Sequence, residues 1–176
     1  MTTDLNRNKA RTGDPTETAI FGAGCFWGVE EIFQKIAGVI HTTVGYCGGT
    51  TTQPTYQEIS MGNTGHAEAV RVEFDPDTVD YDTLLDYFFR LHDPTTHNRQ
   101  GNDIGSQYRS TIFYQSAAQQ RAAEAKKQAV DASGKWQNPV VTDIVAAQPF
   151  YSAEDYHQDY LKKNPGGYRC HYLRES

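Results

Sequence analysis

The sequence predicts an α+β fold, a two-layer sandwich in which a mixed β-sheet carries flanking helices and ends in a long irregular C-terminal tail. Three observations carry that expectation. Short runs with alternating apolar residues are interleaved with longer runs spaced i, i+3, i+4, i+7, and some connections are long enough for crossovers. The chain has 176 residues, 38% of them hydrophobic, which is enough for one sizeable core. After Asn164-Pro165-Gly166-Gly167 the last residues, Tyr168 to Ser176, read as a tail. Residues 1–15, polar and mixed in charge, read as a disordered N-terminal tail, and residues 16–176 as a single domain.

The first element is a short strand, Thr18 to Phe21. Glycines then stop the apolar run, and Cys25 opens a helix whose apolar face is Val29, Ile32, Phe33 and Ile36. A dinucleotide-binding turn fails on spacing, because Trp27 stands where Gly22-x-Gly24 needs its third glycine. A helix start favours an anion, and a thiolate is one. Lowering a thiol pKa from ~8.5 to ~7 takes ~2 kcal/mol, whereas a helix end supplies ~0.3–1 kcal/mol. Other groups in the site, or the substrate, must contribute the rest. The alternative is that Cys25 is a small buried hydrophobe at a tight turn.

Ile40, Thr42, Val44 and Tyr46 alternate as a second strand between Gly38 and Gly48-Gly49. Thr50 to Gly65, rich in Thr, Gly, Gln and Pro, reads as a surface loop carrying Tyr56. In the third strand, His66 to Phe74, Val70, Val72 and Phe74 face the core while Arg71 and Glu73 face water. The same phase turns Glu68 inward, where burial raises a carboxyl pKa. Alternatively Glu68 reaches water at the strand end or pairs with an arginine.

After the Asp75-Pro76-Asp77 turn, Asp80 can cap a helix with Tyr81, Leu84, Leu85, Phe88 and Leu91 on its apolar face, and Asp93-Pro94 ends it. Asn98 to Ser106 reads as a tight polar loop feeding a strand from Gln107 to Tyr114, with Tyr108 at its beginning. Ser116 and Gln119 form a capping-box pattern for an Ala-rich helix to about Val130. A strand from Val140 to Val145 follows, then a short helix from Ser152 and Asp155 through Leu161.

Composition excludes several functions. A net charge of −6 with no basic stripe argues against nucleic acid or an anionic membrane as partner. No apolar run approaches the ~18 residues of a membrane span, and no apolar segment of a signal peptide precedes Pro15, which suggests a cytoplasmic protein. Cys25, Cys47 and Cys170, odd in number and far apart, suit neither a disulfide framework nor a zinc site. In a reducing compartment they are bystanders or they are chemical.

Five ordered motifs resemble the peptide methionine sulfoxide reductase A family, over a span from about Phe21 to His171. They are Gly24-Cys25-Phe26-Trp27-Gly28, Gly65-His66-Ala67-Glu68-Ala69-Val70, Arg99-Gln100-Gly101-Asn102-Asp103, Gln107-Tyr108-Arg109-Ser110 and Asn164-Pro165-x-Gly167-Tyr168. The resemblance implies a thioredoxin-dependent enzyme acting on the S-epimer of methionine sulfoxide, free or in proteins. It implies Cys25 as nucleophile and Glu68 as the acid that protonates the sulfoxide oxygen. Phe26 and Trp27 would hold the S-methyl group. Tyr56 and Tyr108 would donate to the oxygen, with Asp103 ordering the site. Cys25 would become a sulfenic acid and then a disulfide with Cys170, carried to it by the Gly166-Gly167 hinge. Cys25 and Glu68 would titrate as a coupled pair and share a proton before substrate arrives. No cofactor or metal is implied, and the chain is taken as a monomer.

Two departures from the family pattern stand out. Arg169 intervenes between Tyr168 and Cys170, and no later cysteine exists, so recycling should use a single disulfide. Cys47 reads as a buried bystander. The rival reading is a cysteine hydrolase pairing Cys25 with one of His41, His66, His92, His97, His157 or His171.

Overall fold

A computed structural model describes residues 15–176, so the expected disordered tail lies, but for Pro15, outside the described residues. β1 (Glu17–Ala23), β2 (Val39–Cys47) and β3 (Ala67–Phe74) form the centre of a six-stranded sheet, flanked by β6 (Ser110–Tyr114), β7 (Asp143–Ala146) and β8 (Phe150–Ser152). The order is β7-β6-β1-β3-β2-β8. Only the β6–β7 pair of this sheet is parallel, so the sheet is mixed, as expected. β4 (Arg99–Gln100) and β5 (Asp103–Ile104) make a small separate hairpin in the segment read as loop.

Helices α1 (Phe26–Gln34), α3 (Tyr81–Leu91) and α4 (Ala117–Ala132) supply the second layer. Their apolar stripes close on the sheet through Phe21, whose ring stacks on Phe33 of α1 at 5.2 Å and on Phe88 of α3 at 5.2 Å. The Asp80 carboxylate accepts the Thr83 N–H at 2.8 Å, the cap expected for α3. On the opposite face a smaller cluster buries Ile20, Cys47, Ala69 and Phe113 under Phe150. No helix among the described residues is long and apolar enough to cross a membrane.

Several local expectations are corrected. The stretch 50–65 is not all loop: α2 (Tyr56–Ser60) starts there, opened by a capping box. Thr55 Oγ1 accepts the Glu58 N–H at 3.2 Å, and the Glu58 carboxylate accepts the Thr55 N–H at 3.1 Å. At Ser116 only half a box forms, because the Gln119 side chain accepts from the Gln115 N–H instead. Ile40 is 45% exposed, since the bulge between Val39 and His41 breaks the alternation before Thr42. Tyr108 lies in a 3-10 turn over Ser106–Tyr108, and the strand starts only at Ser110. The expected helix from Ser152 to Leu161 is instead the end of β8, a 3-10 turn at Asp155–His157 and the short α5 (Tyr160–Lys163), with Asp159 left-handed between them.

β8 docks on β2 where Gly45 allows it. A Cβ at Gly45 would lie 2.3 Å from the Tyr151 carbonyl oxygen and 2.6 Å from the Phe150 ring. Gly45→Ala is therefore expected to displace β8 and cost ~1–3 kcal/mol, read as a lower urea midpoint. An unchanged midpoint would mean that β8 yields freely.

Candidate active site

β1 ends at Ala23, and Gly24, at φ +91°, turns the chain so that Cys25 becomes the N-cap of α1. Cys25 is 9% exposed, packed beneath the strand ends with Phe26, which is 1% exposed. Its Sγ lies near the free N–H of Trp27, which favours a thiolate, but burial and then the neighbouring Glu68 push the thiol well above its usual range. The helix start is thus outweighed, and Cys25 rests as a thiol.

Glu68 comes from the middle sheet strand β3 and is 2% exposed. Its Oε1 accepts the Phe26 N–H at 3.2 Å, so the carboxyl is tied to the first turn of the helix that Cys25 opens. Burial dominates and lifts its pKa to about 8, with the Phe26 bond opposing and the Asp103 charge adding. Glu68 is therefore largely a neutral acid at pH 7, as its inward phase suggested. The Glu68 charge is among the causes that raise Cys25, so the two titrations are coupled.

The Tyr56 and Tyr108 hydroxyls are both raised above the ordinary tyrosine range, by burial first and then by the Glu68 charge, with smaller pushes from Cys25 and Asp103. These five groups share one electrostatic neighbourhood. Trp27 stands at its edge, stacked on Tyr160 at 3.8 Å, and its indole N–H donates to His157 Nδ1 at 3.0 Å. His157 in turn lies 4.5 Å from the Tyr56 ring and 5.3 Å from Phe26. The aromatic wall beside Cys25 thus includes His157, expected only as a candidate Cys–His partner, and Tyr160, which was not among the expected site residues. Their signal was the aromatic density of 150–160, which holds Phe150, Tyr151, Tyr156 and Tyr160.

The irregular tail lies across this site. Asp103 Oδ2 accepts the Tyr168 hydroxyl at 3.3 Å and faces Cys170 Sγ at 3.6 Å, so Asp103 also holds the tail. Arg169, the intervening residue, grips Glu31 of α1 with two bonds of 2.9 and 3.1 Å. Gly166 and Gly167 do not use positive φ. All three cysteines are reduced. Cys47 is fully buried on the far face of the sheet, its Sγ 3.6 Å from the Gln148 carbonyl.

The histidines that make hydrogen bonds make them to groups other than Cys25. His66 bonds Gly49 and Thr51, His92 bonds Phe88 and Ser110, and His171 bonds Ala23 and Cys170. His41 and His97 are exposed. Among the described residues no Cys–His pair forms at Cys25, which removes the geometric basis of the hydrolase reading.

A cysteine at a helix start beside a neutral buried acid, with a second thiol close enough to act on that cysteine's titration, defines a thiol-dependent enzyme built on an α+β sandwich. The sequence model of peptide methionine sulfoxide reductase matches residues 17–176. A Methanosarcina mazei protein named peptide methionine sulfoxide reductase MsrA is 57% identical over 86% of this chain and 72% of its own. The reduced form of Mxr1 from Saccharomyces cerevisiae superposes with a TM-score of 0.86 at 39% identity, covering 91% of this chain and 93% of that one. Mxr1 has also been solved in complex with Trx2, a form matched at TM-score 0.64 and 26% identity over 96% and 97% of the two chains. The chain belongs to the peptide methionine sulfoxide reductase family.

Proposed function

We propose that this enzyme reduces the S-epimer of methionine sulfoxide, free and in proteins, with Cys25 as nucleophile, Glu68 as acid and Cys170 as resolving thiol. The observation that carries the reading is the tether of the neutral Glu68 carboxyl to the helix start that presents Cys25. The Glu68 proton goes to the sulfoxide oxygen as Cys25 Sγ attacks the sulfur. The thiol proton restores Glu68, and the oxygen ends on Cys25 as a sulfenic acid while methionine leaves. Oxygen protonation makes sulfur more electrophilic, which suits a nucleophile that rests as a thiol.

Phe26 and Trp27 hold the S-methyl group, because aromatic faces pack well against sulfur and polarised methyls. Tyr56 and Tyr108 donate to the oxygen, with Asp103 close by. Thioredoxin-type dithiols then reduce the Cys25–Cys170 disulfide. The yeast relative's complex with Trx2 supports that partner. The enzyme works as a monomer in the cytoplasm, where such dithiols keep free cysteines reduced.

Supplying dithiothreitol with the two sulfoxide epimers separately tests the substrate. Consumption of the R-epimer at the same rate as the S-epimer would rule out the stereochemical claim. Cys170→Ser is expected to form one methionine per enzyme and then stall with thioredoxin, while dithiothreitol turns it over by direct attack. Mass spectrometry after one equivalent of substrate reads the partner thiol. A Cys25–Cys47 link with Cys170 free would overturn the assignment.

A further inference from the structure

His171 follows Cys170 on the tail and has no part in the steps above. Its Nε2 lies 2.6 Å from the Ala23 carbonyl oxygen. A carbonyl only accepts, so Nε2 carries the hydrogen and Nδ1 of the neutral ring keeps a bare lone pair. That Nδ1 stands 3.3 Å from Cys170 Sγ, within reach of an S–H donor. The ring is seated against the first turn of α1, where a Cβ on Gly28 would lie 2.7 Å from Nδ1. The glycine at 28 is the notch that admits it.

We propose that His171 is the general base that accepts the Cys170 thiol proton when this thiol attacks the Cys25 sulfenic acid. The inference rests on the assignment of Cys170 as resolving thiol. In the step, the S–H of Cys170 gives its proton to His171 Nδ1, the Cys170–Cys25 S–S bond forms and the Cys25 S–O bond breaks. The departing hydroxide takes up one proton and leaves as water. Cys170 is oxidised and the sulfenic sulfur reduced, so the electrons balance with no further reagent.

The step needs a base. Burial, reinforced by the Asp103 charge, pushes Cys170 up to about 11, and such a thiol is ionised in roughly one molecule in 10⁴ at pH 7. His171 itself is kept neutral. Burial lowers its pKa and Arg174 on the tail adds to this, against the Ala23 bond and Asp103 on β5. His92, at the end of α3, is the other titratable group facing it, and burial keeps that ring neutral too. Asp103 is the competing acceptor, but its oxygen is farther from Sγ, at 3.6 Å, and already accepts from Tyr168.

His171→Gln retains an amide donor for the Ala23 carbonyl and lacks the base. One equivalent of methyl sulfoxide is added to parent and variant. The Cys25 sulfenic acid, trapped with dimedone, and the disulfide are then timed by mass spectrometry from about pH 6.5 to 10. The parent's disulfide step should be level with pH, and the variant ~10²-fold slower at the acidic end but approaching the parent as the thiol ionises unaided. No slowing, or equal slowing at every pH, overturns the proposal. Should the variant not fold, the parent alone decides: a disulfide step climbing about tenfold per pH unit is that of an unassisted thiol and overturns it. A Cys25–Cys47 product is a separate outcome, and it overturns the resolving assignment itself.

Discussion

Replacing Cys25 by Ser leaves no methionine in a single pre-steady-state turnover, even with dithiothreitol in excess. The loss is expected to exceed ~10³-fold, about 4 kcal/mol of transition-state stabilisation, because a hydroxyl is a poor nucleophile toward sulfur and forms no sulfenic acid. The fold survives. Cys25 is the N-cap of α1 and makes no capping hydrogen bond with its side chain, whereas serine is a preferred cap. Thermal unfolding of the variant should therefore match or exceed the parent's. A methionine burst of one per enzyme from the folded variant would place the nucleophile elsewhere.

Glu68→Gln slows oxygen transfer by ~10²-fold or more while keeping the Phe26 N–H bonded to a side-chain oxygen. In the parent, the single-turnover rate should fall as pH rises through about 8, where Glu68 loses its proton, and the variant should lack that limb. Stability gives a second readout. The folded-state pKa lies above the ordinary carboxyl value of 4.5, so folded protein binds more protons than unfolded protein between 4.5 and about 8. The slope of unfolding free energy with pH is therefore negative in this window, at most ~1.4 kcal/mol per pH unit for one group. The Glu68 contribution is fully present below 4.5 and lost as pH rises through about 8. Glu30, also buried and pushed up to about 7, acts in the same sense and persists in the variant. Superimposable rate profiles for parent and variant would mean that the acid is another group.

The strands and helices with strong periodicity were legible because each lies against one face of the core. The α1 stripe, the α3 stripe with its Asp80 cap, and β3 are the clearest cases. Glu68 was found by phase, although phase was not the whole cause of its burial. Ala67 to Val70 are all buried, because β3 lies between β1 and β2 and both faces are covered at that end. Composition misled at 50–65, where a Thr-rich stretch read as loop holds the only reciprocal cap among the described residues, at Thr55 and Glu58. The positions of Tyr108 and Asp159 depend on tertiary contacts of short, irregular segments, which no periodicity records. Tyr160, and the place of His157 in the aromatic wall, were missed for the same reason. Asp103 was located by motif, but its grip on Tyr168 and Cys170 is a contact across 65 and 67 residues that only the folded chain supplies.

The tail has a second mooring beyond Cys170. The Arg174 N–H donates to the Arg90 carbonyl at 2.9 Å, and the Arg90 side chain returns a bond to the Arg174 carbonyl at 2.7 Å. With Arg169 held by Glu31, the four residues between are a span fixed at both ends. Most of the ordering entropy of that span, ~1–2 kcal/mol per residue, is settled during folding rather than at the moment of reaction. The local concentration of the second thiol at Cys25 is then far above that of any thiol in solution. On the proposed resolving role of Cys170, oxidised Cys25 is expected to meet this partner before a peroxide molecule can carry it on to the irreversible sulfinic state.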